Sequence, residues 1–244
     1  IRKLYINENI NIVDFEEADY IISSVPFTRD LIHLTSTNIK CDEFIEKIKG
    51  KTLFTGAIKE EIKPKLKDVT YYDLMRIDEV ATLNAIPTAE GAICEAIKNS
   101  NTVLSGKNVL VMGYGKVGKV LSQKLNGIGC NVYCEARKES DLAMIEAMGY
   151  NSIHLNTLDN YLKDMDYIFN TIPLMMLNEE RLRLLKEDVL IIDLASNPGG
   201  VDFDMANKLN KKVVWSLSLP SKVAPKSAAI YLKSTIDRII KEIE

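Results

Sequence analysis

Histidine is nearly missing from this chain: His33 and His154 are the only two in 244 residues. A His-rich metal site is thereby excluded, and no imidazole follows position 154. Cysteine is also sparse, with Cys41, Cys94, Cys130 and Cys134. The one close pair is C-x3-C with no histidine beside it, which fits neither zinc nor a disulfide framework. Free buried thiols in a reducing cytoplasm are the expectation. No uninterrupted apolar run approaches the ~18 residues of a membrane helix, so no membrane span or membrane partner is expected. A basic surplus is absent as well: 31 Lys plus Arg against 34 Asp plus Glu leaves a net charge of −3. That balance argues against nucleic acid as a partner. Repeats and low-complexity tracts are lacking, and no signal peptide is expected ahead of the fold. The chain opens at Ile1 rather than Met, so its natural start is expected to lie upstream.

What is present suits a globular chain with ample core: 46% hydrophobic and 27% charged residues. The length predicts one large or two modest domains. Residues 1–85 read as a smaller α/β domain of substrate-binding type. Its strands are predicted at Tyr20–Val25, Thr52–Thr55 and Val69–Tyr72, its helices at Asp42–Ile48, Ile58–Leu66 and Asp73–Leu83. Asn84-Ala85-Ile86-Pro87 marks the boundary, with Pro87 opening a helix to Lys98. Residues 86–216 then alternate regularly. Strands are predicted at Val109–Met112, Asn131–Cys134, Ser152–Leu155, Tyr167–Asn170, Val189–Asp193 and Lys212–Ser216. Helices are predicted at Lys116–Leu125, Asp141–Met148, Leu158–Lys163 and Glu179–Leu185. Six strands with intervening helices predict the doubly wound parallel sheet of the Rossmann fold. Residues 217–244 form a connection and an amphipathic helix, Ser227–Ile243, with Ile230, Leu232, Ile236, Ile239, Ile240 and Ile243 available for burial. By analogy with two-domain dehydrogenases, that helix packs back on the first domain.

Gly113-Tyr114-Gly115-Lys116-Val117-Gly118 is a G-x-G-x-x-G placed between a strand and a helix, the context in which it binds a dinucleotide. The diphosphate would sit at the helix N-terminus, where unpaired N–H groups and the helix dipole favour negative charge. The end of the second strand distinguishes NAD from NADP. Counting from Gly118 places Ala136 at that tip, with Glu135 facing the opposite side and Arg137 and Lys138 following. A small residue and two cations suit an adenosine 2′-phosphate, hence NADP ahead of NAD. A one-residue slip would put Glu135 at the tip and restore NAD. Asn170-Thr171-Ile172-Pro173 is predicted to pass beneath the coenzyme. Ser196, and the backbone amides of Gly199 and Gly200, suit an oxyanion or carboxylate, although Pro198-Gly199-Gly200 also reads as a plain turn. Lys222 faces either a dianionic substrate or solvent. Lys226 sits at a helix start, where a cation gains nothing from the dipole, and is a candidate for proton transfer.

These strings, together with Ile86-Pro87-Thr88-Ala89-Glu90-Gly91-Ala92, Asp193-Leu194-Ala195-Ser196 and Val223-Ala224-Pro225-Lys226, resemble the family of dipicolinate synthase A subunits from about Asn84 to the C-terminus. The glycine motif is generic, whereas D-L-A-S-x-P-G-G and V-A-P-K in that spacing are far more specific. The resemblance implies an NADP-linked dehydrogenase of the mother-cell cytoplasm of a sporulating bacterium. Its substrate would be a dihydropyridine dicarboxylate of the lysine branch, oxidised to pyridine-2,6-dicarboxylate. It further implies Ser196, Lys226 and Glu90 in catalysis, and Thr88, Gly199, Gly200 and Lys222 around the substrate. A second, flavoprotein-like subunit is implied too, within a homo- or hetero-oligomer. Two departures stand out. Family members usually begin with an added strand bearing Gly-Gly-Asp. They also commonly carry Arg at the position of Asn197 and L-P-G where this chain has Leu219-Pro220-Ser221, leaving Lys222 or Arg29 to compensate. Two rival readings remain. A 2-hydroxyacid-dehydrogenase-like oxidoreductase needs a late general acid, usually His, and none follows residue 154. A non-catalytic NADP-sensing regulatory module needs only coenzyme binding.

Overall fold

Every ladder between named strands is parallel. The computed structural model describes residues 1–7 and 12–244. Two compact units divide the chain, Ile1–Leu83 with Lys226–Glu244, and Asn84–Pro225.

In the first unit, α1 (Arg2–Asn7) precedes β1 (Tyr20–Ile22), α2 (Cys41–Lys47), β2 (Thr52–Thr55) and β3 (Thr70–Asp73), and the sheet order is β1-β2-β3. Successive strand residues point to opposite faces. Leu53 therefore packs with Phe27, Phe44 and Ile48, while Phe54 packs with Tyr5, Leu74 and two residues of the final helix, Ile236 and Ile239. β1 stops three residues short of the predicted Val25, just ahead of Pro26, which has no N–H for a ladder. The helix predicted over Ile58–Leu66 shrinks to one 3-10 turn at Lys63–Leu66, because Pro64 removes a donor from it. Asp73 ends β3 instead of starting a helix. Its carboxylate accepts the N–H groups of Ala57, Ile58 and Met75, pinning the turn.

Helix α3 runs unbroken from Asp78 to Asn99 with Pro87 inside it. The expectation that Pro87 opens a helix is corrected. Its missing N–H leaves the Leu83 carbonyl without an intrahelical donor, yet the helix continues because Ala89, Ala92, Ile93 and Ala96 bury one face in the core. The Thr88 hydroxyl also donates to the Asn84 carbonyl at 2.7 Å.

The second unit continues with β4 (Asn108–Met112), α4 (Lys116–Ile128), β5 (Asn131–Ala136), α5 (Glu139–Ala147), β6 (Asn151–His154), β7 (Tyr167–Asn170), α6 (Glu179–Leu184), β8 (Leu190–Asp193), α7 (Phe203–Lys208), β9 (Lys212–Trp215) and α8 (Leu219–Val223). The order β6-β5-β4-β7-β8-β9 is the doubly wound arrangement, with its switch point between β4 and β7. Both sheet faces are covered, which is why these strands read as continuous apolar runs. Val109 and Val111 face one cluster with Phe169 and Ile192; Leu110 and Met112 face the other with Ile168 and Ile191. The helix predicted at Leu158–Lys163 is instead two 3-10 turns, Leu155–Asn160 and Leu162–Asp164. Two short helices escape the hydrophobic period: α7, capped by the Asp202 carboxylate accepting the Met205 N–H, and α8, with Pro220 in its first turn.

Helix α9 (Pro225–Ile243) buries Ile236 and Ile239 but leaves Ile230 and Ile243 exposed. Asp237 on α9 accepts the Tyr5 hydroxyl at 2.8 Å and the Lys233 ammonium at 2.6 Å, fastening α1 to α9.

Candidate dinucleotide site

Strand β4 delivers the chain into Gly113, whose φ of +90° demands glycine. A Cβ at Gly118 would lie 2.0 Å from the Gly113 carbonyl oxygen, so the helix can close on the turn only without one. A Cβ at Gly115 would meet nothing within 4 Å. The bare main chain there faces open space, at a helix start whose N-cap residue, Gly115, has no side chain to cap it. An anion fits this cradle in shape and charge. Lys116 is exposed, Val117 half-buried, and the Tyr114 ring lies in the core with Ala136, so Tyr114 offers a ligand only its backbone. Burial pushes the Tyr114 phenol up to about 12.

Ala136 is the buried last residue of β5, on the same face as Cys134. Glu135 points to the other face, where its Oε2 accepts the Gly113 N–H at 3.1 Å. Arg137 and Lys138 follow, both exposed and with no hydrogen bond or ion pair on their side chains among the described residues.

The ends of β7 and β8 are tied by a buried polar network. Asn170 and Asp193 are register partners. The Asn170 amide donates to Asp193 Oδ1 at 2.8 Å and to the Ile172 carbonyl at 3.0 Å. The Asp193 carboxylate also accepts the N–H groups of Ala195 at 3.1 Å and Gly200 at 2.8 Å. Thr171 donates its hydroxyl to the Met112 carbonyl at 2.8 Å, bringing the 171–173 segment against the glycine turn. Ile172 is half-buried and Pro173 exposed.

Several expected roles change. The Gly199 and Gly200 amides are not available to a ligand: Gly199 donates to the Ser196 carbonyl at 2.8 Å and Gly200 to Asp193. The turn reading of Pro198-Gly199-Gly200 describes them better. The fully buried Asn170 side chain is committed to Asp193, so it shapes the site from beneath. Glu90 is exposed in mid-α3 and accepts from Lys124 at 2.8 Å. Lys124 lies eight residues along α4 from its first residue, about 12 Å at 1.5 Å per residue, which removes Glu90 from the glycine turn. The Thr88 hydroxyl is spent on Asn84. Ser196, Lys222 and Lys226 are exposed with uncommitted side chains among the described residues. Ser196 and Lys222 belong to the second unit and Lys226 to the first.

The coenzyme candidates Gly113 to Gly118, Ala136 to Lys138 and Asn170 to Pro173 all gather at the carboxyl edge of the six-stranded sheet, where doubly wound folds bind ligands. Sequence reasoning missed the Asp193 anchor, although two adjacent strands each ending in a polar residue was a usable signal. It missed Trp215 too, the only tryptophan. Its indole donates to the Ala195 carbonyl at 2.9 Å and its ring lies 5.1 Å from that of Phe203. Among the described residues no cluster of His, Cys, Asp or Glu is placed to hold a metal, and no helix is long and apolar enough to cross a membrane.

Residues 86–218 match the model of the D-isomer specific 2-hydroxyacid dehydrogenase NAD-binding domain. The chain is 34% identical to the dipicolinate synthase A subunit of Bacillus subtilis (strain 168) over 245 aligned residues, 97% of this chain and 82% of that protein. The crystal structure of the dipicolinate synthase A subunit from Bacillus halodurans superposes with a TM-score of 0.87 at 32% identity, covering 93% of this chain and 81% of that one. The crystal structure of its counterpart from Bacillus subtilis gives 0.86 at 32% identity, covering 96% and 81%.

Proposed function

Since the chain belongs to the family of dipicolinate synthase A subunits, we propose that it oxidises a dihydropyridine dicarboxylate to pyridine-2,6-dicarboxylate with NADP. An oxidoreductase role with a nicotinamide coenzyme follows from the family itself. The observation that carries the finer reading is the open glycine cradle followed, at the end of β5, by the exposed Arg137 and Lys138, which have no hydrogen bond or ion pair among the described residues. When bound, the coenzyme supplies a hydride acceptor.

The chain's own residues divide the remaining work. The Gly113–Gly118 backbone and the first turn of α4 hold the diphosphate. Arg137 grips the 2′-phosphate bidentately, with Lys138 as a second cation and Ala136 leaving room. Thr171, Ile172 and Pro173 pass beneath the coenzyme. Asn170 and Asp193 keep that segment and the 194–200 loop in register. The Ser196 hydroxyl and the Lys222 ammonium are free to bond carboxylate oxygens. The Lys226 amine is the candidate acceptor of the ring proton that leaves as the ring becomes aromatic. Glu90 has no part in this scheme. The relatives are themselves designated as one subunit of a synthase, which supports a second subunit for this chain. A flavoprotein-like character for that partner, and a setting in the mother cell of a sporulating bacterium, complete the proposal.

NADPH formation, followed by absorbance with aldolase-generated precursor, tests the reaction with and without the second subunit. Turnover is expected with both components. Turnover on a simple 2-hydroxy acid instead would replace this reading with its enzymatic rival. Coenzyme binding without any NADPH formation would leave a sensor.

Coenzyme choice has its own test. Arg137→Ala is expected to weaken NADP about 10- to 100-fold, the loss of one or two charge-assisted hydrogen bonds, and NAD less than about twofold. Equal weakening of both in a fluorescence titration would refute the placement of Ala136 and Arg137 beside the 2′ position.

A further inference from the structure

Glu135 is fully buried at the end of β5, and its two carboxyl oxygens are unequal. Oε2 accepts the Gly113 N–H at 3.1 Å, a hydrogen shared with the Glu135 carbonyl at 3.2 Å. Among the described residues, Oε1 is buried with no partner. One shared donor and one bare oxygen make ionisation costly in the interior. Burial accordingly pushes Glu135 above the usual carboxylate range, against the opposing pull of the Gly113 N–H, Arg137, Arg181 and His154. Among the described residues, the charged or titratable side chains acting on it are Arg137 beyond its own strand, Arg181 on α6 and His154 on β6. The glycine turn contributes backbone alone. Arg181 already donates to Asp159 and to the Met176 carbonyl, and His154 Nδ1 accepts the Asn156 N–H. Neither is hydrogen-bonded to Oε1.

We propose that Glu135 is the positioning residue of the glycine turn and a proton-linked selector of the coenzyme. Neutral, it holds Gly113 in place beside an anionic dinucleotide; ionised, it repels that ligand, and a 2′-phosphorylated one most. The inference rests on the dinucleotide site proposed above. Glu135 bonds the first residue of the turn and precedes by two positions the arginine assigned to the 2′-phosphate. A buried charge there is poorly screened by salt. An anion binding beside a titrating carboxyl raises its proton affinity, so binding takes up protons. The sign follows: affinity is highest while Glu135 is neutral and falls as pH rises through its ionisation.

Isothermal titration calorimetry of the full chain with NADH and NADPH tests this, in pairs of buffers with different ionisation enthalpies. NADH is the cleaner probe, because the 2′-phosphate of NADPH itself titrates near pH ~6. The wild type is expected to take up a fraction of a proton on binding NADH and to bind it more weakly as pH rises. Glu135→Gln is expected to take up none, to bind with little pH dependence, and to favour NADPH over NADH by about tenfold more than the wild type does in alkaline buffer. Absence of proton uptake in the wild type, or equal uptake in both proteins, overturns the proposal. Should the variant fail to fold, the buffer dependence of the wild type decides alone. If neither dinucleotide binds the wild type, the coenzyme site itself is wrong and this inference falls with it.

Discussion

Gly118→Ala is expected to weaken dinucleotide binding by about 10- to 100-fold, because it inserts a methyl where two stretches of main chain already touch. The added carbon would sit 2.0 Å from the Gly113 oxygen and 3.0 Å from the carbon of that carbonyl. Both are backbone atoms, so no side chain can swing aside. Relief requires α4 to slide away from the turn, and the first-turn N–H groups move with it. Gly127 provides the control. It lies in the same helix, and a Cβ there meets nothing within 4 Å. Gly127→Ala should therefore bind NADPH like the wild type while gaining about 1 kcal/mol of helix propensity. Fluorescence titration of both variants separates the clash from a general effect of alanine in α4. Wild-type affinity in Gly118→Ala would mean that the turn does not hold the ligand.

The second large effect is expected on stability. Asp193→Asn preserves size and shape but replaces one acceptor oxygen with a donor. In the wild type, one oxygen takes the Asn170 amide and the Ala195 N–H, and the other takes the Gly200 N–H. Whichever way the new amide turns, at least one buried donor faces another donor. The cost is about 3 kcal/mol, the sum of a lost charge-assisted bond and an unsatisfied buried group. That should lower Tm by roughly 6–12 °C for a unit of this size. Thermal denaturation followed by circular dichroism reads it directly. A Tm within about 2 °C of the wild type would show that the network is dispensable. Asn170→Asp should be destabilising for the complementary reason, since it would set two carboxyl groups against each other.

Much of the larger unit was legible because its signals are local. Tyr167–Asn170 has the predicted bounds, and β8 differs from its prediction by one residue. Apolar runs flanked by polar or glycine residues leave a buried parallel strand little choice of ends. The orientation of Ala136 and Glu135 was readable too, since strand side chains alternate. The smaller unit was harder. β2 has its predicted bounds, but β1 ends three residues early and the helix predicted over Ile58–Leu66 keeps only one 3-10 turn around Pro64.

The amino-acid sequence alone determined the doubly wound sheet, the glycine turn at its switch point and the cations beyond β5, because each depends on neighbours within one or two turns of chain. Tertiary structure alone decided which polar groups remain free for a ligand. Glu90 and Lys124 are 34 residues apart, Asn170 and Asp193 are 23 apart, and Glu135 and Gly113 are 22 apart. A hydrogen-bonding group is committed by whatever the fold brings within about 3 Å of it, and pairings over such separations leave no period in the chain to read.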